Sequence, residues 1–185
     1  FATTNVIDAQ VRLLASAPRS LKNQSRVHFH CNTMETVAEI VLHESKQLAR
    51  DTEVLARLKL RASPLLLPGD RFIIRQFSPV VTIGGGVVLD AAPASRKFLA
   101  DDNLKIFAGR DRAAKLLARI ARRSSHGITV TDLVKESGWS RGMIESVLAG
   151  ALQTRQSQDA ALGRASGRRS ARPCGRRGCR RASAT

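Results

Sequence analysis

The sequence predicts an antiparallel β barrel over residues 1–92, then a small helical part, then a tail without a core. Apolar residues alternate with polar ones up to Ala91, recur at helical spacing after Pro93 and almost vanish after Gly150. A period of two is typical of half-buried strands, and a period near 3.6 is typical of amphipathic helices. A chain of 185 residues with 43% hydrophobic residues can hold one ordinary domain and a small one.

The first four predicted strands each carry one aliphatic face. Their inward positions are Ile7, Ala9, Val11 and Leu13; Val27, Phe29 and Cys31; Ala38, Ile40 and Leu42; and Val54, Ala56, Leu58 and Leu60. Polar or turn-rich residues separate these runs, as expected for antiparallel strands that bury one face.

Two further strands are predicted between Pro64 and Asp90. Pro68-Gly69-Asp70 is a strong turn signal, Phe72 to Arg75 alternates in the manner of a strand, and Ser78-Pro79 breaks the chain before the run Val80 to Ile83. Antiparallel barrels place distant strands side by side, so the strands of Phe29 and Phe72 should meet and both rings should be buried.

A triple glycine, Gly84 to Gly86, interrupts the last predicted strand. It is not a phosphate loop, because no Lys-Ser/Thr pair and no helix start follow it. Glycines within a strand pattern indicate a bulge or a close approach of two backbones.

The residues after Pro93 predict a linker helix over 93–110, with Phe98 and Leu99, and three helices within 111–154. Asp111 is expected to cap a helix with apolar positions Ala113, Leu116, Leu117, Ile120 and Ala121. Thr129 and Asp132 resemble a capping box, with Leu133 and Val134 inward and Gly138 as the stop. Ser140 then caps a helix that carries Ile144, Val147 and Leu148 on one face. This is the helix order of a winged helix, which binds nucleic acid in some proteins and packs as a plain helical hairpin in others.

The formal charge of +16 is concentrated near the end of the chain. Residues 151–185 hold nine arginines, no lysine and one acid, which is half of the excess. Residues 155–185 contain one Leu and no Val, Ile or Phe, too few apolar residues to order a domain. Two interpretations stay open: an arginine-rich RNA-binding tail, or a stretch translated out of frame. A basic surplus favours polyanions, without choosing among RNA, DNA and membrane.

Cysteines, histidines and acids give no catalytic or metal site. Cys31, Cys174 and Cys179 form neither an even disulfide framework nor a zinc ligand set, so reduced thiols are expected. Alternation puts His28 and His30 on one strand face and Cys31 on the other, which argues against metal binding. Glu35, Glu39 and Glu44 lack any identifiable catalytic partner.

Two strand motifs resemble the C-terminal barrel of elongation factor Tu and its relatives. Arg26 to Thr33 matches an R-x-x-F-x-x-x-T strand, and Arg71 to Arg75 followed by Thr82 to Val88 matches an R-F-x-I-R strand before a T-x-G-x-G-V-V strand. The longer stretches LKNQSRVHFHCNTMETVAEIVL and LLLPGDRFIIRQFSPVVTIGGGVVLDAAP are similar to the bacterial selenocysteine-specific elongation factor, and the resemblance covers Asp8 to Leu148. Asn32 replaces a usual glycine and Arg50-Asp51 a usual Pro-Gly, which leaves those two turns in question.

The resemblance implies that the barrel binds selenocysteyl-tRNA and that winged helices bind an mRNA hairpin, at the ribosome. The RNA-binding candidates are His28, His30, Thr33, Arg71, Arg75, Gln76, Thr82, Gly84, Gly85, Gly86, Ser140 and Arg141. For the histidines the alternative is a solvated strand face. For Arg75 the alternative is an ion pair within the barrel.

No G-x-x-x-x-G-K-Ser/Thr motif occurs in this sequence, so GTP and Mg²⁺ are expected only in a domain that this chain lacks. The chain itself is expected to have no cofactor and no enzyme activity. The first residue is not methionine, so we expect a fragment, monomeric and cytoplasmic, and no apolar run is long enough for a membrane span. Two alternatives are another translation-type GTPase relative, such as a sulfate-activating enzyme subunit, and a winged-helix regulator of DNA.

Overall fold

The computed structural model describes residues 3–43, 45–93, 101–123 and 127–153. In these residues, eight strands precede four helices. The strands are β1 (Val6–Leu13), β2 (Leu21–Lys22), β3 (Ser25–Cys31), β4 (Met34–Leu42), β5 (Gln47–Leu48), β6 (Glu53–Leu60), β7 (Arg71–Arg75) and β8 (Thr82–Asp90). The helices are α1 (Asp101–Ala108), α2 (Arg112–Ala121), α3 (Val130–Ser137) and α4 (141–153).

Six strands close into an antiparallel barrel in the order β1-β6-β4-β3-β7-β8, and β8 pairs back onto β1. The short strands β2 and β5 pair with each other. The alternating pattern decides which side chains enter the barrel, because successive side chains of a strand point to opposite faces. All the predicted inward residues of the first four strands lie in the core except Val54, which is partly buried. The predicted barrel is confirmed.

The two signature strands lie side by side. β3 pairs with β7, with Phe29 opposite Ile74 and Cys31 opposite Phe72. The rings of Phe29 and Phe72 are 4.8 Å apart between centroids. They are 0% and 3% exposed, so the predicted burial of both is confirmed.

The two turns that depart from the family pattern keep a left-handed backbone. Asn32 has a φ of 53° and Asp51 a φ of 55°. Asn and Asp adopt this conformation more readily than other non-glycine residues. Asp51 is also held in place, because its side chain accepts from Arg12 at 2.9 Å and its backbone N–H donates to the carbonyl of Leu13 at 3.1 Å. The substitutions therefore leave both turns intact.

The triple glycine marks a close approach of backbones. β8 runs unbroken through Gly84 to Gly86 and pairs with β1 on one side and β7 on the other. A β-carbon on Gly85 would lie 2.5 Å from the carbonyl oxygen of Phe72, and one on Gly86 would lie 2.7 Å from Cζ of the Phe72 ring. The register shifts fall elsewhere, between Asp8 and Ala9 and between Ile74 and Arg75. Close approach, not a bulge, explains these glycines.

One strand boundary was predicted wrongly. The run Val80 to Ile83 was expected to be a strand throughout, but β8 begins at Thr82. The backbone N–H of Gln76 donates to the carbonyl of Val81 at 3.1 Å, which closes the loop that joins β7 to β8. Val80 and Val81 belong to this loop and are 54% and 37% exposed.

The predicted helix caps are confirmed. Asp111 accepts from the backbone N–H groups of Ala113 and Ala114 at 2.8 and 3.2 Å. At the start of α3, Thr129 accepts from the N–H of Asp132 at 3.1 Å and donates to its carboxylate at 2.8 Å. Gly138 ends α3 with a φ of 72°.

Ser140 accepts from the N–H of Met143 at 3.4 Å and begins α4. Leu116, Leu133 and Ile144, from α2, α3 and α4, form the centre of a separate apolar cluster. Ile120, Val147 and Leu148 pack around it, whereas Leu117 is 43% exposed.

The chain divides into two compact units, residues 1–148 and 149–185. Of the second unit only 149–153, the end of α4, are described. The helix-turn-helix order is as predicted, while the winged-helix assignment and the boundaries 1–92, 93–110, 111–154 and 155–185 stay predictions. Phe98, Leu99 and the arginine-rich tail lie outside the described residues.

Candidate nucleic-acid interface

Strand β7 carries the centre of the predicted RNA surface on the outer face of the barrel. Arg75 lies opposite His28 of β3 and Thr82 of β8. One row further along, Ile73 lies opposite His30 and Gly85. The closure of the barrel therefore brings together residues that are about 50 positions apart in the sequence.

The two histidines on this face share one carboxylate. Nδ1 of His28 lies 2.9 Å from Oε1 of Glu35, and Nε2 of His30 lies 3.7 Å from the same oxygen. The ring of Phe77 lies against His28 at 4.3 Å between centroids. The histidines are on the outer face as predicted, but only 25% and 22% of their side chains is exposed. They are half-covered side chains, and Glu35 is engaged with them.

Cys31 points to the opposite face of β3, as alternation predicts. Its pKa is raised by burial and then by the charge of Asp70, so the thiol stays protonated at neutral pH. Among the residues that the structure describes, no group of three His, Cys, Asp or Glu side chains could hold a metal ion. Glu44 lies outside those residues.

Arg75 is half-buried beside the loop between β7 and β8. Its Nη2 donates to the carbonyl of Val80 at 3.4 Å, and its Nε is buried without a hydrogen-bond partner. In the described parts of the chain Arg75 makes no ion pair, so the ion-pair alternative has no support there. Gln76 donates to the carbonyl of Ser78 at 3.3 Å, and Arg71 is exposed at the start of β7.

The surface around Arg75 is more apolar than expected. Ile73, Phe77 and Val80 are 46%, 45% and 54% exposed. Sequence patterns missed this, because the same residues fit a buried strand and a following one. Exposed apolar side chains beside a partly covered arginine offer fewer phosphate contacts than a cluster of free cations would.

The remaining predicted residues fall at three places. Thr33 is exposed in the turn between β3 and β4. Gly84 and Gly86 lie on the inner side of β8, because their partners on β7, Ile74 and Phe72, are core residues. Ser140 and Arg141 are not on the barrel strands but at the start of α4. Arg141 is paired there with Glu145 at 2.9 Å.

A basic groove next to this face was not predicted. It has a volume of about 440 Å³ and runs between β2, the start of β3 and the β7–β8 loop. Arg19, Lys22 and Arg26 line it together with Gln76 and Phe77. No acidic side chain lines it within the described residues, and none of its three cations forms a salt bridge there. The only available sequence signal was the spacing of three cations among serines and an asparagine.

The pairing of β3 with β7 and the glycine approach of β8 define a translation-factor-type barrel. Residues 8–95 match the family described as the selenocysteine-specific elongation factor, beta-barrel domain. A selenocysteine-specific elongation factor from Desulfomicrobium baculatum is 29% identical over 135 residues, which cover 69% of this chain and 20% of the relative. The barrel therefore belongs to the β-barrel domain family of selenocysteine-specific elongation factors, and the resemblance seen in the sequence is confirmed. The chain spans about a fifth of the length of this relative.

Residues 3–43, 45–93, 101–123 and 127–153 contain no helix that is both long enough and apolar enough to cross a membrane.

Proposed function

We propose that this chain is the RNA-binding part of a selenocysteine-specific elongation factor and that its barrel binds selenocysteyl-tRNA. In this proposal the helices contact an mRNA hairpin, the ribosome is the site of action, and the chain works in the cytoplasm. GTP binding and hydrolysis, with Mg²⁺, belong to another domain of such a factor. The membership of the barrel supports the proposal, and the basic groove is the observation that carries it.

The groove has the chemistry that an RNA backbone requires. Phosphate contacts from Lys and Arg supply most of the affinity of nucleic-acid binding, and each contact releases counterions. Arg19, Lys22 and Arg26 face the groove without acidic neighbours among the described residues, so phosphate would be their charge partner. Gln76 and the ring of Phe77, at one edge, add a hydrogen-bonding side chain and an aromatic surface.

The groove and the predicted face form a continuous surface. Gln76 and Phe77 line the groove, and Phe77 also contacts His28 on the outer face of β3. Arg75 is the residue between Gln76 and the core strand. We therefore place the tRNA backbone primarily along the groove, with Arg75 and His28 at its border.

The test is filter binding of tRNA to the full chain and to charge-reversed variants across a salt series. Lys22→Glu and Arg26→Glu should each weaken binding and lower the slope of log K against log salt by nearly one per phosphate contact. Arg75→Glu should weaken binding less. The matched control is Lys135→Glu, which changes the same charge on α3, where Lys135 is paired with Asp132 at 3.5 Å.

The proposal fails if Lys135→Glu weakens tRNA binding as much as Lys22→Glu does, because binding would then follow net charge only. It also fails if the chain prefers duplex DNA to tRNA at equal salt. That second result would instead favour the DNA-regulator alternative.

A further inference from the structure

A chain of buried ion pairs joins the end of the barrel to the helices. Asp90, the last residue of β8, accepts from Arg119 of α2 at 3.3 Å and from Arg122 just after α2. Arg122 also pairs with Glu136 of α3 at 2.9 Å, and Glu136 pairs with Arg123. We refer to these five side chains as the ionic joint. One connected set of charges thus links β8, α2 and α3.

The ionic joint is shielded from water at its centre. The side chains of Asp90 and Arg119 are 3% and 4% exposed, and that of Glu136 is 8% exposed. Burial lowers the pKa of Arg119, and Asp90 opposes this shift. For Arg122 burial also acts to lower the pKa, but Asp90 and Glu136 outweigh it and the pKa is raised. The two carboxylates are therefore needed to keep buried arginines paired.

Other contacts fix the direction of the two guanidinium groups. Arg119 also donates to the carbonyl of Leu89 at 3.1 Å. The ring of Phe107, from α1, lies under Arg119 at 4.6 Å and under Arg122 at 5.7 Å. Planar guanidinium groups that are both stacked and hydrogen-bonded are held in a defined orientation, since both contacts depend on angle.

Apolar contact at the same junction is limited. Leu89 of the barrel packs with Leu104, Phe107 and Ala118 of α1 and α2. Such contacts are not directional and tolerate sliding, whereas the ion pairs require one arrangement of β8, α2 and α3. The apolar cluster would keep the helices near the barrel, and the ionic joint would set their orientation.

We propose that Asp90 is the anchor of the ionic joint and that the joint holds α1, α2 and α3 on the barrel as one body in a single orientation. Without the charge of Asp90, Arg119 and Arg122 lose their shared partner on the barrel and are left buried with an unpaired charge. They then turn toward water, and the helices sample several orientations. An RNA site on the barrel and one on the helices would keep a constant spacing only while the joint is closed.

The test measures a distance across the joint in the full chain by pulsed electron spin resonance. Spin labels are attached at Lys46→Cys on the barrel and Ser146→Cys on α4, both at exposed positions. Cys174 and Cys179 are changed to Ser, while the buried Cys31 is kept. With Asp90 present we expect one narrow distance distribution. In Asp90→Asn the width should increase at least about twofold, because several orientations become populated.

The matched control is Asp51→Asn, which removes the exposed ion pair of Asp51 with Arg12 at 2.9 Å. It should leave the distribution narrow. Amide hydrogen exchange at Ile7 and Ile74, in the barrel core, is measured on the same samples and should be unchanged in Asp90→Asn.

A distribution that stays narrow in Asp90→Asn would overturn the proposal. Fast exchange at Ile7 and Ile74 in that variant would also overturn it, because Asp90 would then stabilise the barrel itself. An equal broadening in Asp51→Asn would show that loss of any carboxylate has this effect.

Discussion

Replacing Phe72 with Ala tests whether the barrel core is organised around the pairing of β3 with β7. The ring is 3% exposed, lies 4.8 Å from Phe29 and covers the position of Gly86, where a β-carbon would be 2.7 Å from Cζ. No nearby backbone can collapse easily into the space that the ring would leave, since β7 is paired on both sides. Large-to-small changes of buried phenylalanine cost about 3–5 kcal/mol, of which the aromatic pair accounts for about 0.5–1.5 kcal/mol.

Phe77→Ala is the control for Phe72→Ala, because it removes the same atoms from a ring that is 45% exposed. Its main described ring contact is His28, so we expect a loss of about 1 kcal/mol or less. Urea unfolding followed by far-ultraviolet circular dichroism measures both variants. A typical domain is stable by about 5–15 kcal/mol, so the Phe72 variant should show a clearly lower midpoint. Equal losses for the two variants would refute the assigned register.

Three other changes are predicted. Gly85→Ala should lower the urea midpoint, because its β-carbon would lie 2.5 Å from the carbonyl oxygen of Phe72, whereas Gly142→Ala, with open space around it, should not. Thr129→Ala should destabilise α3 by about 1 kcal/mol. The hydrogen bond from Thr129 lowers the pKa of Asp132 below 3.8, so this contribution is present at neutral pH and is lost as acid titrates the folded group, which a pH series of melting curves would detect. Removing residues 151–185 should weaken binding to any polyanion and flatten its salt dependence, and an unchanged slope in filter binding would contradict this.

The strands and caps could be predicted because their causes are local. The alternation of Ile7, Val11 and Leu13 sets which face β1 buries, whatever its neighbours are. The same holds for Asp111 and Thr129, whose caps involve residues within three positions. Local rules extended even to the turns at Asn32 and Asp51, where side chains that tolerate a left-handed backbone replace glycine.

The basic groove and the ionic joint could not be predicted, because the barrel and the helices must first close. Arg19, Lys22 and Arg26 look like ordinary surface cations until β2 and the β7–β8 loop are placed beside each other. Arg119 falls on a helix with exposed neighbours, and its burial depends on Asp90, which precedes it by 29 residues. Sequence patterns also placed Val80 in a strand, since hydrophobicity does not distinguish a core strand from an exposed loop.

The basic groove and the ionic joint use their arginines and lysines in opposite ways. In the groove the cations are exposed to solvent and have no acidic partner among the described residues, so their charge is available to a polyanion. In the joint Arg119 and Arg122 are consumed by Asp90 and Glu136 and contribute no free charge to the surface. The high net charge of the chain therefore overstates how much of the folded part can attract RNA. Binding measurements should follow the unpaired cations of the groove, and changes in the joint should alter geometry without changing the affinity of the barrel for tRNA.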